Sequence, residues 1–419
     1  MISPETEYNV PVGYTKKAIS GFSWQTVLKL LQSGLTVLKV SILARLLSPE
    51  DFGMFSLITI ALGIVEAFTE TGVNFTILQS KHSISYFVST AWVIAIVRGF
   101  SIAILMVLLG MFMGSFYSEP QLPLYIGIAA LVPIIKGFIN PSIVSLHKKL
   151  DFFKDSAYRL SLSMIDVTIA VIFGFWLQSF MAMIVAMIGT ALFEVVISFL
   201  LFETKPTFRY IHSRAKAIYS NAKWLSVSAL LSYAHENVDN FILGRTIGTY
   251  QLGLYHNGYT LGHKVNYDLS KSAYHGTLPI FTKIAADRER LVRAFRKSFI
   301  ATSGIALLLS LPLFFFAKPI VLFVLGENWL SIVPYVPFLT LAGLLQAVSM
   351  QVITLFMATR KFKYSNLYLA ITVGTLVPLI TILSQSQGIM GAALALIISR
   401  TVGLPILIWG VLVTLKKPT

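Results

Sequence analysis

Long apolar stretches alternate with short polar connections along the whole chain. An α-helix needs roughly 20 apolar residues to cross ~30 Å of hydrocarbon, and twelve stretches of this kind occur in the sequence. They cover residues 22–46, 52–77, 86–113, 122–146, 157–177, 179–202, 222–247, 250–280, 297–317, 333–358, 364–384 and 388–414. The eighth is the most polar, and the ninth runs at Lys318-Pro319 into a further apolar segment. The pattern predicts an all-α membrane protein with about 12 transmembrane helices.

Lysine and arginine cluster in alternate connections and at the termini. The clusters are Lys16/Lys17, Lys81, Lys148/Lys149/Lys154, 205–223, 283–297, Arg360/Lys361/Lys363 and Lys416/Lys417. The opposite connections carry only Arg45, Arg245 and Lys318 at helix ends. Because cytoplasmic loops are enriched in Lys and Arg, both termini are predicted to be cytoplasmic. We therefore expect a multi-pass protein of the cytoplasmic (inner) membrane with an even number of spans.

Composition narrows the classes of function. Of the 419 residues 56% are hydrophobic and 12% charged, and the net charge is +15. Topology and anionic lipid account for that basic excess, so no nucleic acid partner is expected. The absence of cysteine excludes disulfides, thiolate metal sites and cysteine catalysis. No Gly-x-x-x-x-Gly-Lys-Ser/Thr loop occurs in the sequence, which argues against direct nucleotide hydrolysis.

An internal repeat appears when the chain is offset by 200 residues. Residues 44–55 then lie on residues 244–255, and Trp24 lies on Trp224. An even number of spans separates the copies, so they form two pseudo-symmetric six-helix lobes related by an axis along the membrane normal. The predicted organisation is a cytoplasmic N-terminal segment 1–21, an N-lobe 22–202, a cytoplasmic linker 203–221, a C-lobe 222–414 and a cytoplasmic tail 415–419.

The repeated motif is interpreted first as helix punctuation. Ser48 is a helix N-cap residue, Pro49 suits the first helical position, and Asp51 complements the helix dipole. Direct substrate contact is the less favoured alternative. Arg45 and Arg245 stand at matching positions on the predicted outer face, where they are candidates for a gate or for contact with an anionic head group.

Charged side chains also lie inside the predicted spans, where each would cost roughly 2.5 to 3.5 kcal/mol if it faced lipid. Most must therefore face a cavity or one another. The first span carries a polar stripe at helical spacing, made of Gln25, Lys29, Gln32, Thr36 and Lys39. The seventh span repeats it with Ser228, Ser232, His235 and Asp239. These stripes predict a water-filled cleft lined by both lobes, although salt bridges that fix packing remain the alternative for any single residue. Candidates for proton or sodium coupling are Glu66, Glu70, Glu236 and Asp239.

One face of the eighth span is rich in rings and hydroxyls. It carries His256, Thr260, His263, Tyr267, Ser270 and Tyr274, with Lys264, Asp268 and Lys271 beside it at salt-bridge spacing. Such rings can stack on sugars, which makes His263, Tyr267 and Tyr274 candidate substrate contacts. An aromatic packing face with a local ion-pair ladder is the favoured alternative. The histidines of the chain form no convincing metal site.

Several short motifs, in this order and spacing, resemble the Wzx-type polysaccharide and O-antigen flippases of the multidrug, oligosaccharidyl-lipid and polysaccharide exporter superfamily. The motifs are Phe22-Ser23-Trp24, residues 42–53, Glu70-Thr71-Gly72, Thr90-Ala91-Trp92 with Arg98-Gly99, Lys149-Leu150-Asp151-Phe152, residues 239–245 and Gly326-Glu327-Asn328-Trp329. The resemblance spans nearly the whole chain. It departs from the family at residues 263–268, where the family often has an apolar, Pro-containing stretch.

The resemblance implies a two-lobed transporter, not an enzyme, that flips an undecaprenyl-pyrophosphate-linked oligosaccharide to the outer leaflet by alternating access. Such a step serves surface polysaccharide biosynthesis, such as that of lipopolysaccharide or exopolysaccharide. The pyrophosphate suits the cationic residues Lys29, Lys39, Arg98, Lys136 and Arg400. Expected partners are the lipid-linked substrate, membrane lipids, and the polymerase and chain-length machinery.

Two alternatives come from other classes. A cation-coupled multidrug exporter of the same superfamily is the nearer one, and the sequence separates it poorly from a flippase. An integral-membrane glycosyltransferase or polymerase is less favoured, because such enzymes commonly need a substantial outer loop or domain. The outer connections predicted here are only a few to about ten residues long.

Overall fold

The structure is a computed structural model that describes residues 31–70, 72–73, 76–77, 83–148, 151–219 and 222–415. These ranges are almost entirely helical and contain no strand. Trp24, Gln25 and Lys29 of the first predicted span lie outside the described residues, as do Lys81 and Lys149. The all-α class predicted from the apolar pattern is confirmed.

The described residues of the first half form six long helices and one short helix. They are α1 (31–46), α2 (Pro49–Phe68), α3 (Ile84–Tyr117), α4 (Leu122–Gly137), α5 (Phe152–Leu177), α6 (Met181–Leu201) and the short α7 (His212–Tyr219). Between α4 and α5 the chain makes a 3-10 turn, Pro141–Ile143, and a single helical turn, Val144–Lys148. Over the described residues each predicted span of this half overlaps one of the long helices, although α2 ends at Phe68, short of the predicted residue 77, and α4 ends at Gly137, short of residue 146.

The second half repeats the arrangement with longer pieces. Its helices are α8 (Ala222–Thr246), α9 (Gly248–Tyr259, continued by a π-helical turn Thr260–Lys264 and by Val265–Lys283), α10 (Arg288–Phe315), α11 (Ala317–Val324), α12 (Val336–Ala358) and α13 (Phe362–Leu415). A 3-10 turn, Glu327–Ile332, separates α11 from α12.

Gly388 divides α13 into two spans. Its φ of 57° lies in the left-handed region that favours glycine. The two parts correspond to the predicted spans 364–384 and 388–414. Counting α13 once, seven helices within the described residues are long and apolar enough to cross a membrane. The remaining predicted spans correspond to α1, α4, α8 and α9, which are shorter or more polar, so the helices are consistent with twelve spans in two lobes.

Helices pack mainly within their own half of the chain. In the first half α3 contacts α4, and α5 contacts α6; in the second half α12 contacts α9, α10 and α13. The halves meet where α2 lies against α8 and the start of α9. One hydrophobic cluster crosses this junction and includes Leu43, Leu57, Leu252, Tyr255 and Trp329, all at most 1% exposed. The two halves thus share a core at their junction.

The connection predicted as a linker lies against the first half. The Ser142 hydroxyl donates to the Thr204 carbonyl at 2.8 Å, and the Ile211 amide donates to the Thr90 hydroxyl at 3.3 Å. The short helix α7 also contacts α3. The chain therefore leaves the first half only close to the start of α8.

Two names are used for the ends of the helices. The repeat end carries residues 44–55 and 244–255. The basic end carries the connections around 148–154, 203–223, 283–297 and 360–363.

Candidate substrate passage and its closed end

The start of α2 is fixed by a capping box, as the motif predicts. The Asp51 amide donates to the Ser48 hydroxyl at 3.2 Å, and the Ser48 amide donates to Asp51 Oδ2 at 2.9 Å. Asp51 Oδ1 also accepts from the Phe180 amide at 3.0 Å, at the start of α6. The interpretation of the motif as a helix start is confirmed. The cap fixes the first turn of α2 and with it the position of Gly53.

Two glycines of the repeat bring α2 and α9 into direct backbone contact. A Cβ added at Gly53 would lie 1.9 Å from the Thr249 carbonyl oxygen, and one at Gly253 would lie 1.7 Å from the Pro49 carbonyl oxygen. Both glycines, and both carbonyls, are related by the same offset of 200 residues. The contact is therefore made identically from both halves, and only glycine allows it. Beside it the Thr249 hydroxyl donates to Glu119 Oε1 at 3.2 Å.

The two repeat arginines cross to opposite halves. Arg45 donates to the Val324 carbonyl at 3.4 Å and to the Phe323 carbonyl, at the end of α11. Arg245 donates to the Ser118 hydroxyl at 3.1 Å, and its guanidinium lies 5.7 Å over the Phe116 ring, at the end of α3. Cations are favourable at helix C-termini. Each arginine thus joins its own half to a helix end of the other.

Aromatic side chains repeat this crossing. The Tyr117 hydroxyl donates to the Phe241 carbonyl at 3.0 Å, from the first half to the second. The Trp329 indole donates to the Ala44 carbonyl at 2.7 Å, from the second half to the first. Trp329 also packs edge-to-face on Phe52, with ring centroids 5.1 Å apart. Glycine, arginine and aromatic contacts together close the repeat end.

Toward the basic end the contact between halves becomes one-sided. The ring of Tyr233, on α8, packs against Gly63 of α2 so closely that a Cβ added at Gly63 would lie 2.3 Å from it. The Ser226 hydroxyl, also on α8, donates to the Glu70 carbonyl at 2.6 Å. On α1, by contrast, Val37 and Leu38 are each 49% exposed. The α2–α8 contact thus continues along the helices, whereas this part of α1 is uncovered.

The cationic stripe of α1 has partners within its own half. Lys39 Nζ lies 2.7 Å from Asp166 Oδ2, with side chains 16% and 29% exposed. The Gln32 amide donates to the Ser163 hydroxyl at 3.3 Å. Both contacts join α1 to α5. Lys39 therefore meets Asp166 and not Asp239, the acid that the repeat register places opposite it.

Arg98 and Lys136 differ in what they contact. Arg98 donates to the Thr69 carbonyl at 2.7 Å and to the Glu66 carbonyl at 3.0 Å, at the end of α2, and lies 3.5 Å from Glu70 Oε2. It acts as a cap for α2. Lys136, on α4, is exposed and makes no hydrogen bond or ion pair within the part of the chain that the structure describes.

The acids of α8 are bound by tyrosines of α9. Asp239 is 4% exposed and accepts from the Tyr255 hydroxyl at 2.6 Å. Glu236, which is exposed, accepts from the Tyr267 hydroxyl at 2.5 Å. Arg400 is 7% exposed and donates to the Ala342 carbonyl. The ion-coupling candidates of this half are therefore tied to the ring-rich face of α9.

That face is a ladder of rings. Centroids are 5.7 Å apart from Tyr255 to Tyr259, 4.1 Å from Tyr259 to His263 and 6.2 Å from His263 to Tyr267. His263 is 2% exposed, and neither ring nitrogen has a hydrogen-bond partner among the residues that the structure describes. Tyr267 and Tyr274 are half-buried. Of the three predicted sugar contacts, these two tyrosines are the more accessible, and His263 packs inside the second half.

Two features of the structure were not predicted from the sequence. The contact of Gly53 with α9 was not predicted, although both glycines stand at matching positions in the repeat. The expected ion-pair ladder of Lys264, Asp268 and Lys271 is also absent from the described part of α9, where Lys271 instead lies 3.3 Å from the Tyr267 hydroxyl. The residue pattern also does not predict the π-helical turn Thr260–Lys264 of this helix. Among the described residues no group of three His, Cys, Asp or Glu side chains is placed to hold a metal.

Known proteins with similar sequences are described as polysaccharide biosynthesis proteins. The family described as "Polysaccharide biosynthesis protein" matches residues 42–334. The lipopolysaccharide biosynthesis protein WzxC of Escherichia coli (strain K12) is 22% identical over 391 residues, which are 92% of this chain and 79% of WzxC.

Solved structures share the fold. The lipid II flippase MurJ, in an inward closed conformation, superposes with a TM-score of 0.69 and 15% identity, over 92% of this chain and 87% of that chain. An inward-facing multidrug resistance MATE family transporter gives a TM-score of 0.69 and 17% identity, over 94% and 96%. Both likenesses concern the fold of the whole chain.

Proposed function

Because this chain belongs to the polysaccharide biosynthesis protein family, we propose that it flips lipid-linked oligosaccharides across the cytoplasmic membrane. The substrate is an oligosaccharide unit on undecaprenyl pyrophosphate, and its transfer to the outer leaflet serves surface polysaccharide biosynthesis. The protein is a transporter and not an enzyme. Its mechanism is alternating access between two pseudo-symmetric halves.

One observation carries this function: at the repeat end the two halves meet through contacts that each half makes in the same way. They are the backbone contact of Gly53 with Gly253 and the crossed arginines Arg45 and Arg245. Alternating access needs such a reversible closure at one end while the other end admits substrate. We therefore assign Arg45 and Arg245 to the gate.

The orientation of the gate follows from charge. Lys and Arg are concentrated at the basic end, and the positive-inside rule puts that end in the cytoplasm. The repeat end then faces outward and is the closed end. This is the state that would accept a substrate made on the cytoplasmic side.

The substrate class is supported by the names of the relatives. WzxC is named for lipopolysaccharide biosynthesis, and MurJ is named as a flippase of lipid II, itself a lipid-linked saccharide. The likeness to a multidrug resistance transporter supports a drug exporter as the second candidate. The family match favours the flippase, since it rests on sequence and not on fold alone. Polymerase and chain-length proteins would be the next users of the flipped unit, and co-purification would test them as partners.

Deletion of the gene in its host is the direct test. Loss of surface polysaccharide, with a lipid-linked oligosaccharide accumulating on the cytoplasmic face and both defects restored by the wild-type gene, is the expected result. Unchanged surface glycan and lipid intermediates, together with new sensitivity to cationic drugs, would instead establish the drug exporter.

A further inference from the structure

The second half of the chain buries one acid and one base. Asp239 on α8 is 4% exposed, and Arg400 on the second part of α13 is 7% exposed. The other Asp, Glu, Lys and Arg side chains that the structure describes in this half, such as Glu236 and Lys264, are exposed or half-buried. Buried charges in proteins are paired or coordinate metals. The question at Asp239 is therefore which positive charge compensates it.

Asp239 and Arg400 are joined through two tyrosines of α9. The Tyr255 hydroxyl donates to Asp239 Oδ2 at 2.6 Å. The ring of Tyr259 lies 5.7 Å from that of Tyr255, and its hydroxyl accepts a hydrogen bond from Arg400. Because a tyrosine hydroxyl can both donate and accept, it suits a carboxylate as well as a guanidinium. The contacts thus run from α8 through α9 to α13.

The guanidinium of Arg400 is held in place by its own half. It donates to the Ala342 carbonyl on α12 and interacts electrostatically with Asp239. Gly403, less than one turn further along α13, packs so closely on the Tyr368 ring that an added Cβ would lie 2.6 Å from it. The two parts of α13 are therefore in close contact beside Arg400, and the charge of Arg400 is a fixed feature of this half.

The first half compensates its charge in the opposite arrangement. Lys39 on α1 lies 2.7 Å from Asp166 on α5. The offset of 200 residues places Lys39 on Asp239, so equivalent helices carry the base in one half and the acid in the other. Each half then holds its counter-charge within itself, and the compensation is kept when the halves move relative to each other.

An arginine differs from a bound ion in one respect that matters for transport. Its guanidinium stays charged at physiological pH, and as a side chain it cannot leave during the transport cycle. A carboxylate compensated by a metal cation depends on the concentration of that cation. A carboxylate compensated by an arginine does not.

We propose that Arg400 is the permanent counter-charge of Asp239 and takes the place of a bound metal cation, so that Asp239 binds no Na⁺. Asp239 is then not the residue that couples transport to sodium, and Arg400 is a positioning residue and not a contact of the pyrophosphate. This inference goes beyond the proposed function and is independent of which substrate the protein carries.

The test measures the thermal unfolding temperature, Tm, of the purified full-length chain in lipid nanodiscs. Arg400→Met should lower Tm by roughly 5 °C or more, because it leaves a buried carboxylate without its counter-charge. Adding Asp239→Asn removes the lone charge and should restore most of the loss. Arg400→Lys keeps the charge, so its Tm should lie closer to that of the wild type.

Two controls make the result specific. Asp166→Asn combined with Arg400→Met removes the buried acid of the other half and should restore nothing. Exchange of NaCl for N-methyl-D-glucamine chloride at constant ionic strength should leave the Tm of the wild type unchanged, since a ligand stabilises only a protein that binds it.

Three outcomes would overturn the proposal. The first is a rise of the wild-type Tm with Na⁺ that Asp239→Asn abolishes, which would show that Asp239 binds the cation. The second is a double variant no more stable than Arg400→Met, and the third is equal recovery by Asp166→Asn. None of them bears on the flippase function, which deletion of the gene tests separately.

Discussion

The repeat end and the spans beneath it differ in symmetry between the two halves. At the repeat end each contact occurs twice, since Gly53 and Gly253 touch each other's helices and Arg45 and Arg245 cross in opposite directions. Deeper in the spans the two halves differ: Lys39 pairs with Asp166 in the first half, whereas its counterpart in the repeat, Asp239, accepts from Tyr255 in the second. The difference teaches that the internal repeat encodes the contact between the halves, whereas the polar groups inside the spans are arranged differently in each half.

The two regions also differ in what holds them. The repeat end is held by contacts between the halves, namely the glycine backbone contacts, the exposed arginines and the aromatic side chains described above. Inside each half, Lys39 pairs with Asp166 in the first and the Tyr255 hydroxyl donates to Asp239 in the second. Rocking motions between repeats require each half to keep its internal contacts while the contacts at one end separate.

Filling the glycine contact should have the largest effect. In Gly253→Leu the Cβ would lie within 1.7 Å of the Pro49 carbonyl oxygen, so α2 and α9 cannot approach and the repeat end cannot close. Flipping in proteoliposomes should be lost. A cysteine introduced at Ser232, an exposed residue of α8, should become reactive from the repeat side.

Gly374→Leu provides the matched control for this substitution. A Cβ at Gly374 meets nothing within 4 Å, so the same change there should leave flipping intact. Equal loss of flipping in both variants, or normal flipping in Gly253→Leu, would show that the glycine contact is not the gate.

Breaking the ion pair of Lys39 with Asp166 should have an intermediate effect, and the quantity it lowers is the free energy of unfolding. Lys39→Met leaves Asp166 unpaired, and the cost should fall between the ~1 kcal/mol of an exposed pair and the ~3–5 kcal/mol of a buried one. Thermal unfolding of the purified protein measures it. The swap Lys39→Asp with Asp166→Lys should recover most of the stability and of the transport. If the swapped protein is stable but cannot flip substrate, Lys39 contacts the substrate after all.

Removing the crossed arginines should have the smallest effect. Arg45 and Arg245 are exposed, so each contact contributes at most about 1 kcal/mol, a roughly fivefold change in the population of the closed end. Arg45→Met and Arg245→Met should each raise labelling at the Ser232 cysteine from the repeat side a few-fold, and the double variant should raise it further. Arg360→Met, at the basic end, serves as control, and an effect equal to that of Arg45→Met would count against the gate assignment.

Much of the fold was predictable from the pattern of apolar residues. Over the described residues every predicted span overlaps a helix, because in a membrane a helix satisfies the backbone of a run of about 20 apolar residues within the run itself. The break between the last two spans is likewise visible, since the run is interrupted near Gly388. The capping of α2 by Ser48 follows from local sequence alone.

The neighbours of the passage residues were not predictable in the same way. Helical spacing shows that Lys39 and Asp239 lie on polar faces, but it does not say which face meets which. Lys39 pairs with Asp166, 127 residues away, because α1 packs on α5. Likewise the i, i+4 spacing of Lys264 and Asp268 permits an ion pair but does not require one, and none forms between them among the described residues.

A reversible cross-link across the gate tests the central claim most directly. The natural chain has no cysteine, and the side chains of Glu119 and Thr249 meet at 3.2 Å across the repeat end. In Glu119→Cys with Thr249→Cys, oxidation should lock this end shut and stop flipping of lipid-linked oligosaccharide in proteoliposomes, and reduction should restore it. Full flipping by the cross-linked protein would contradict alternating access through this gate.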